Sequence, residues 1–381
     1  MEDKHDGERL RAFIEQLQSQ SGLDAVTYER LLAELNTSQT PVGQDAEGRQ
    51  RIAFFDAKQY DLNSFSHQNE GRFELIPMET PLNEQTASAA AGCKVVCIFV
   101  NDEAHERVIA RLAELGVELI ALRCAGFNNV DLEACQRHGI SVVRVPAYSP
   151  HAVAEHTVAL MLMLNRHLHQ AYLRNRTGAF VLDGLTGFDM FGKTVGVIGT
   201  GKIGQCVVEI LNGFGCRVLA YDVQKNPEVE KRPLTEYVSL DELLAQSDII
   251  TLHLPLFPET HHLINQKSIA QMKRGVMLIN TSRGGLVETV SLVESLKSGQ
   301  IGYAGLDVYE EEAGIFFRDI SDQVLNDDIL ARLMTFNNVV ITSHQAFLTH
   351  EALDNIAETT LFNIEEFFAG KRGTDLTHHV G

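Results

Sequence analysis

An arginine, a run of glutamates and a histidine each stand just past an apolar run of the chain. Arg283 follows Val276–Asn280, Glu310, Glu311 and Glu312 follow Ile301–Leu306, and His344 follows Val339–Thr342. Those runs read as strands, and in open parallel sheets ligands bind beyond the carboxyl ends of strands. The three residue types suit one chemistry, reduction of a 2-keto acid. A guanidinium holds a carboxylate through two parallel hydrogen bonds. An imidazole titrates in the range needed to protonate a ketone oxygen. A carboxylate beside the imidazole orients it and favours its protonated form. The residues alone leave open which of the three glutamates has that task.

A second constellation supplies the partner for such a reaction. The apolar run Val195–Ile198 meets Gly199, Gly201 and Gly204 in the spacing G-x-G-x-x-G, and a second run, Val218–Tyr221, ends in Asp222. Gly199 allows a tight turn, Gly201 lets a pyrophosphate approach the backbone, and Gly204 lets a helix press on the strand. Asp222 suits the two ribose hydroxyls and repels a ribose phosphate, so NAD is expected rather than NADP.

The elements that must position these groups follow a βα rhythm. Strands are expected at Ile52–Phe55, Phe73–Ile76, Val95–Val100, Val117–Leu122 and Ser141–Val145. After Val195–Ile198 and Val218–Tyr221 they continue at Ile249–Leu254, Val276–Asn280, Ile301–Leu306 and Val339–Thr342. The runs are apolar without strict alternation, as in strands buried on both faces. Between the two series, Ser149 is a good N-cap and Pro150 a good first helical residue. One unbroken helix is expected from His151 to about Arg174, and another over Glu351–Phe368. Before the first strand, Leu10, Phe13, Ile14 and Leu17 share one helical face, and Tyr28, Leu31, Leu32 and Leu35 another. Residues 1–50 therefore read as a helical extension and linker.

Composition narrows the class. The 381 residues suffice for two domains, and 44% apolar content is ordinary for a globular chain. No apolar run approaches the roughly 20 residues of a membrane span, and the charged N-terminus lacks the apolar core of a signal peptide. A cytoplasmic protein is expected. The net charge of −19 argues against nucleic acid and anionic membranes as partners. Six scattered cysteines read as reduced, mostly buried thiols, and no metal site is expected.

Longer motifs extend these readings. They are K-Q-Y-D from Lys58, C-I-F-V-N-D from Cys97, A-L-R-C-A-G-F-N-N-V-D from Ala121, V-R-V-P-A-Y-S-P from Val143 and G-L-T-G-F from Gly184. G-V-I-G-T-G-K-I-G from Gly196, N-T-S-R-G-G from Asn280, G-L-D-V-Y-E from Gly305 and T-S-H-Q-A-F-L-T from Thr342 complete the set. In these the chain resembles the D-2-hydroxyacid dehydrogenases, and closely their bacterial fermentative D-lactate dehydrogenase branch, from about residue 51 to the end.

The resemblance implies an α/β fold of two doubly wound parallel-sheet domains with the site in the cleft. A flavodoxin-like substrate domain spans 51–149 and is completed by 346–381. A Rossmann dinucleotide domain spans 150–345. The resemblance implies Arg283 for substrate binding and carbonyl polarisation, and His344 as the acid/base. Glu312 is its partner, because it occupies the family position five residues after Asp307. Ala125 and Gly126 would present N–H groups to the substrate carboxylate, with Tyr148 and Phe347 lining the pocket. For NAD it implies Gly199, Gly201, Lys202, Ile203 and Gly204 at the turn and Asp222 at the ribose. Leu254, Pro255, Thr281 and Ser282 lie nearby, and Asp307 at the carboxamide. The residues themselves offer a second reading of Asp307, a buried acid capping a strand end. The implied reaction is reversible reduction of pyruvate to D-lactate by a homodimer or homotetramer. A larger 2-keto acid stands as the alternative substrate, and an NAD-sensing binding protein as the alternative class. Glu312 stands where formate dehydrogenases carry Gln, and no added basic cluster or C-terminal regulatory domain points to phosphoglycerate.

Overall fold

The computed structural model describes residues 43–381. The helical pair expected in the N-terminal extension lies outside the described residues. The chain divides into two compact units, one containing residues up to Tyr148 together with Leu353–Gly381, the other Ser149–Ala352.

The first unit is built on a five-stranded parallel sheet. Its strands are β1 (Gln50–Phe54), β2 (Phe73–Pro77), β3 (Val95–Ile98), β4 (Leu119–Leu122) and β5 (Ser141–Val143), in the order β2-β1-β3-β4-β5. This is the flavodoxin-type order, with a topological switch between β1 and β3. Strands β3, β4 and β5 are buried at every position, which accounts for apolar runs without alternation.

A fully buried guanidinium sits at the carboxyl ends of these strands. Arg123 donates from Nε to Asp61 Oδ2 at 3.2 Å and from Nη2 to the Asp56 carbonyl at 2.7 Å. It lies over the rings of Phe54 and Phe99 at 4.5 and 4.9 Å. Burial pushes the Asp61 carboxyl up, although the Arg123 charge opposes the shift. These contacts fix the chain immediately before Cys124, Ala125 and Gly126.

The second unit holds seven parallel strands: β6 (Thr194–Ile198), β7 (Arg217–Tyr221), β8 (Thr235–Tyr237), β9 (Ile249–Leu252), β10 (Val276–Asn280), β11 (Ile301–Leu306) and β12 (Val339–Ile341). Their order is β12-β11-β10-β9-β6-β7-β8. It is the Rossmann order with one added strand, and it reverses between β6 and β9. Val195 and Val197 enter the apolar cluster on one face, and Ile198 that on the other. Each such side chain contributes about 1.5–3 kcal/mol by burial. The short edge strand β8 has no periodic signal in the sequence.

One expected element is corrected. In place of a single helix from His151 to Arg174, the structure has helices Pro150–Asn165 and Leu168–Arg176, with His167 at φ 50° between them. The start is as read, for the Ser149 hydroxyl accepts from the Ala152 N–H at 3.2 Å. The break comes from residues 186–188. Asn165 Nδ2 donates to the Phe188 carbonyl at 2.9 Å, and a His167 ring nitrogen lies 3.2 Å from the Thr186 carbonyl. A Cβ on Gly187 would stand 2.0 Å from the Asn165 carbonyl oxygen. A segment crossing that closely prevents the helix from continuing, and no Gly or Pro near residue 166 announces it.

Candidate active site

The turn after β6 shows how the glycines work. Gly199 has φ 95°, and a Cβ there would stand 2.3 Å from the His253 carbonyl oxygen. The turn therefore packs directly on the segment leaving β9, at the point where strand order reverses. A Cβ on Gly204 would stand 2.0 Å from the Gly199 carbonyl oxygen, so the helix Lys202–Gly213 starts hard against the turn. Gly201 differs, because nothing lies within 4 Å of its Cβ position. It is the helix N-cap and has no side-chain capping bond. Open space above uncapped N–H groups at a helix start fits a dinucleotide pyrophosphate.

Asp222 closes this turn from β7. Its Oδ2 accepts from the Thr200 N–H at 2.6 Å and the Thr200 hydroxyl at 3.2 Å. Its Oδ1 accepts from the Gln224 N–H at 3.1 Å. The acid that would meet the ribose is thus also a fastening of the glycine loop. Lys202 is exposed and Ile203 half-buried against the core. Leu254 packs beneath the glycine turn, with its Cδ2 2.9 Å from the Gly199 Cβ position, and Pro255 follows it on the exposed side. The Ser282 hydroxyl donates to the Leu254 carbonyl, and Thr281 Oγ1 lies 2.8 Å from Thr157 Oγ1.

The reactive side chains converge on the same end of the sheet. His344 follows β12 in the left-handed region, at φ 53°, and its N–H donates to the Asp307 carbonyl at 2.7 Å. Its Nδ1 lies 2.9 Å from Glu312 Oε1. Glu312 Oε2 accepts from the Tyr309 N–H at 3.0 Å, which aims the other oxygen at the imidazole. With Nδ1 engaged, Nε2 is the nitrogen through which proton transfer would run. The Phe317 ring lies beside it, with centroids 5.8 Å apart. The structure brings Glu312 to His344, whereas Glu310 bonds His262 and Thr289, and Glu311 is exposed.

Asp307 is 0% exposed and anchors the histidine loop. Its Oδ1 accepts from the Thr342 hydroxyl at 2.5 Å and the Gln345 N–H at 2.9 Å. Its Oδ2 accepts from the Ala346 N–H at 2.9 Å, and His156 Nε2 lies 3.4 Å from Oδ1. Burial works to raise this carboxyl, but the bonds from His156, Thr342 and Ala346 outweigh it and hold it below the usual carboxylate range. Its observed contacts are those of a buried acid at a strand end. Phe347, next to Ala346, is 7% exposed.

Arg283 stands on the loop after β10. Asn280 shapes that loop, donating from Nδ2 to the Arg283 carbonyl at 2.8 Å and accepting the Ser282 N–H at 3.1 Å. Arg283 Nη1 donates to the Ser282 carbonyl at 2.7 Å. In the first unit, Arg144 donates to the Ala125 carbonyl at 2.8 Å, and Asn355 Nδ2 to the Tyr148 carbonyl at 2.7 Å. His156, Thr342, Tyr309 and Phe317 also contact these groups, and residue type did not mark them. Thr342 and Tyr309 fall within the T-S-H-Q-A-F-L-T and G-L-D-V-Y-E motifs, while His156 sits on a helix with no spacing to mark it.

Residues 158–346 match the family described as "D-isomer specific 2-hydroxyacid dehydrogenase, NAD binding domain". A 2-hydroxyacid dehydrogenase homolog of Haemophilus influenzae is 54% identical over 84% of this chain and 97% of its own length. The D-lactate dehydrogenase of Escherichia coli K12 is 50% identical over 84% and 98%. The chain belongs to the D-2-hydroxyacid dehydrogenase family. The solved structure described as the pyruvate reductase of Chlamydomonas reinhardtii, 49% identical, covers 87% of this chain and 98% of its own, with a TM-score of 0.81. As a D-2-hydroxyacid dehydrogenase the protein is an NAD-dependent oxidoreductase, and the glycine turn, uncapped helix and Asp222 fit that cofactor. Among the described residues, no helix is long and apolar enough to cross a membrane.

Proposed function

We propose that the protein is a D-lactate dehydrogenase that interconverts pyruvate and D-lactate. The observation that carries the mechanism is the bond of 2.9 Å between His344 Nδ1 and Glu312 Oε1 on the loops after β12 and β11. Bound NADH supplies the hydride. Arg283 grips the substrate carboxylate with two N–H donors and polarises the carbonyl. His344 delivers a proton from Nε2 to the developing alkoxide, and Glu312 holds the imidazole in orientation and steadies its charged form. In the reverse direction Nε2 takes the hydroxyl proton. Ala125 and Gly126 present N–H groups to the carboxylate, while Tyr148 and Phe347 line the pocket. The N–H groups at Gly201, Lys202, Ile203 and Gly204, beside Gly199, would hold the pyrophosphate of the cofactor. Asp222 would take the ribose hydroxyls, and Leu254, Pro255, Thr281 and Ser282 would border the dinucleotide. Asp307 would stand behind the carboxamide, its carboxylate engaged by Thr342, Gln345 and Ala346.

Pyruvate is favoured over a larger keto acid by the relatives. The E. coli D-lactate dehydrogenase is 50% identical, while a D-2-hydroxyisocaproate dehydrogenase structure is 29% identical. We also infer a homodimer or homotetramer. Leu168, Tyr172 and Leu173 project from one helix at 54%, 62% and 63% exposure, and Phe180, Leu182 and Phe191 are more exposed still. Large apolar side chains left in water to this extent are what an association surface would cover. All six cysteines are buried thiols, which accords with a reducing cytoplasm.

The test is NADH oxidation across pyruvate, 2-ketobutyrate, 2-ketoisocaproate, phenylpyruvate and hydroxypyruvate, with chiral analysis of the product and light scattering for the assembly. The highest kcat/KM on pyruvate, with D-lactate formed and turnover lost in His344→Ala, is expected. Preference for a larger keto acid changes the substrate. Bound NADH without turnover on any of them replaces the enzyme by a sensor.

A further inference from the structure

Outside the machinery of His344, three side chains of metal-binding type meet in the second unit. His261, His262 and Glu310 place their donor atoms within 4.8 Å of one another. Nothing in the spacing of the sequence predicts a metal site, and adjacent histidines alone do not make one. The third donor comes from forty-eight residues further on and is brought in by the fold.

The group is held from several directions. His262 Nε2 is hydrogen-bonded to Glu310 Oε1. Glu310 Oε2 accepts from the Thr289 N–H at 3.1 Å and the Thr289 hydroxyl at 2.8 Å, which turns Oε1 toward the histidines. Such outer bonds are what orient a ligating carboxylate. His262 is in the left-handed region at φ 51°. That conformation is fixed on both sides, for its N–H donates to the Gly285 carbonyl at 2.8 Å and its own carbonyl accepts from Asn265 Nδ2 at 2.8 Å. The His261 ring stacks on that of His262, with centroids 3.8 Å apart, and is exposed.

We propose that His261, His262 and Glu310 bind a divalent transition cation of the Zn2+ class. Two imidazole nitrogens and one carboxylate oxygen are a borderline donor set, which suits Zn2+ better than Mg2+ or Ca2+ with their all-oxygen shells. Three protein ligands leave the fourth tetrahedral position to water. Donors on a tetrahedral Zn2+ stand roughly 3.3 Å apart, given bonds of about 2.0–2.2 Å. To meet this spacing the hydrogen-bonded pair His262 Nε2 and Glu310 Oε1 opens as the ion enters, and the exposed His261 ring turns in at little cost. The proton between His262 Nε2 and Glu310 leaves that nitrogen as the ion takes its place. An ion here fastens the segment after β9 to the loop after β11.

The experiment is calorimetric titration of the chelator-treated full chain with Zn2+, repeated with Co2+ while its visible absorption is followed. One equivalent is expected to bind, with a Co2+ spectrum of low coordination number. His261→Ala and His262→Gln are each expected to weaken binding by at least about tenfold. His344→Ala, which removes the histidine of the other His–Glu pair, is expected to leave it unchanged. His261 is exposed, so its replacement keeps the test informative even where His262→Gln fails to fold. No saturable uptake by the wild type, wild-type affinity in His261→Ala, or loss of uptake in His344→Ala overturns the site.

Discussion

Gly284 and Tyr309 are packed backbone to backbone. A Cβ on Gly284 would stand 2.1 Å from both the carbonyl carbon and the carbonyl oxygen of Tyr309. This contact joins the loop that carries Arg283 to the loop that carries Glu312, and the Tyr309 N–H itself holds Glu312. Gly284→Ala is therefore expected to push the two loops apart while both units stay folded. Displacements of about 1 Å in a reacting constellation cost on the order of 10²-fold in rate. Steady-state kinetics with pyruvate, beside circular dichroism, check this. Near-native kcat/KM would show that the loops need no such contact.

Arg283→Lys separates charge from geometry. Lysine keeps the positive charge but offers a point contact in place of a planar fork. NADH binding is expected to persist, with kcat/KM reduced on the order of 10²-fold, as for removal of a transition-state donor. Fluorescence titration of NADH alongside turnover distinguishes the two effects. A variant that turns over normally would remove Arg283 from the substrate.

Much of this site was legible because its residues follow strands, and buried parallel strands announce themselves as apolar runs. The glycine turn was legible for a similar reason, since its spacing encodes local backbone requirements. Contacts between distant segments were not. The break at His167 depends on Gly187 and Phe188 crossing Asn165, and nothing within either helix signals it. The partner of His344 could not be selected from Glu310, Glu311 and Glu312 by residue type. The resemblance pointed to Glu312, and the fold then sends Glu310 and Glu312 to different histidines. His156 reaches Asp307 across 151 residues of chain, so no spacing rule could find it.

Asp222→Ala has two expected effects. The carboxylate repels a ribose 2′-phosphate, so its loss is expected to lower the preference for NADH over NADPH by about tenfold or more. Because Asp222 also accepts the Thr200 N–H at 2.6 Å, the glycine loop is loosened and NADH itself binds more weakly. Asp222→Asn keeps acceptors for Thr200 and is expected to preserve more of the NADH affinity. Kinetic KM values for both cofactors in the two variants check this. An unchanged cofactor ratio in Asp222→Ala would place discrimination elsewhere.

Acid should loosen the C-terminal segment of the first unit through Glu366. This carboxylate accepts from Lys371 Nζ, from the Thr377 N–H at 2.8 Å and from the Thr377 hydroxyl at 2.8 Å. Burial works to raise its pKa, but these bonds outweigh it and hold the group down to about 2, against an ordinary 4.5. Folding thus favours the charged form. The stabilisation is fully present above about 4.5 and is lost as pH falls through about 2. Glu366→Gln is expected to be about 1–3 kcal/mol less stable at neutral pH, the usual worth of hydrogen bonds to a charged group. The gap between wild type and variant should close on acidification over that window. Urea unfolding curves at a series of pH values measure it directly. A gap that stays constant with pH would show that Glu366 stabilises this segment by packing rather than by charge.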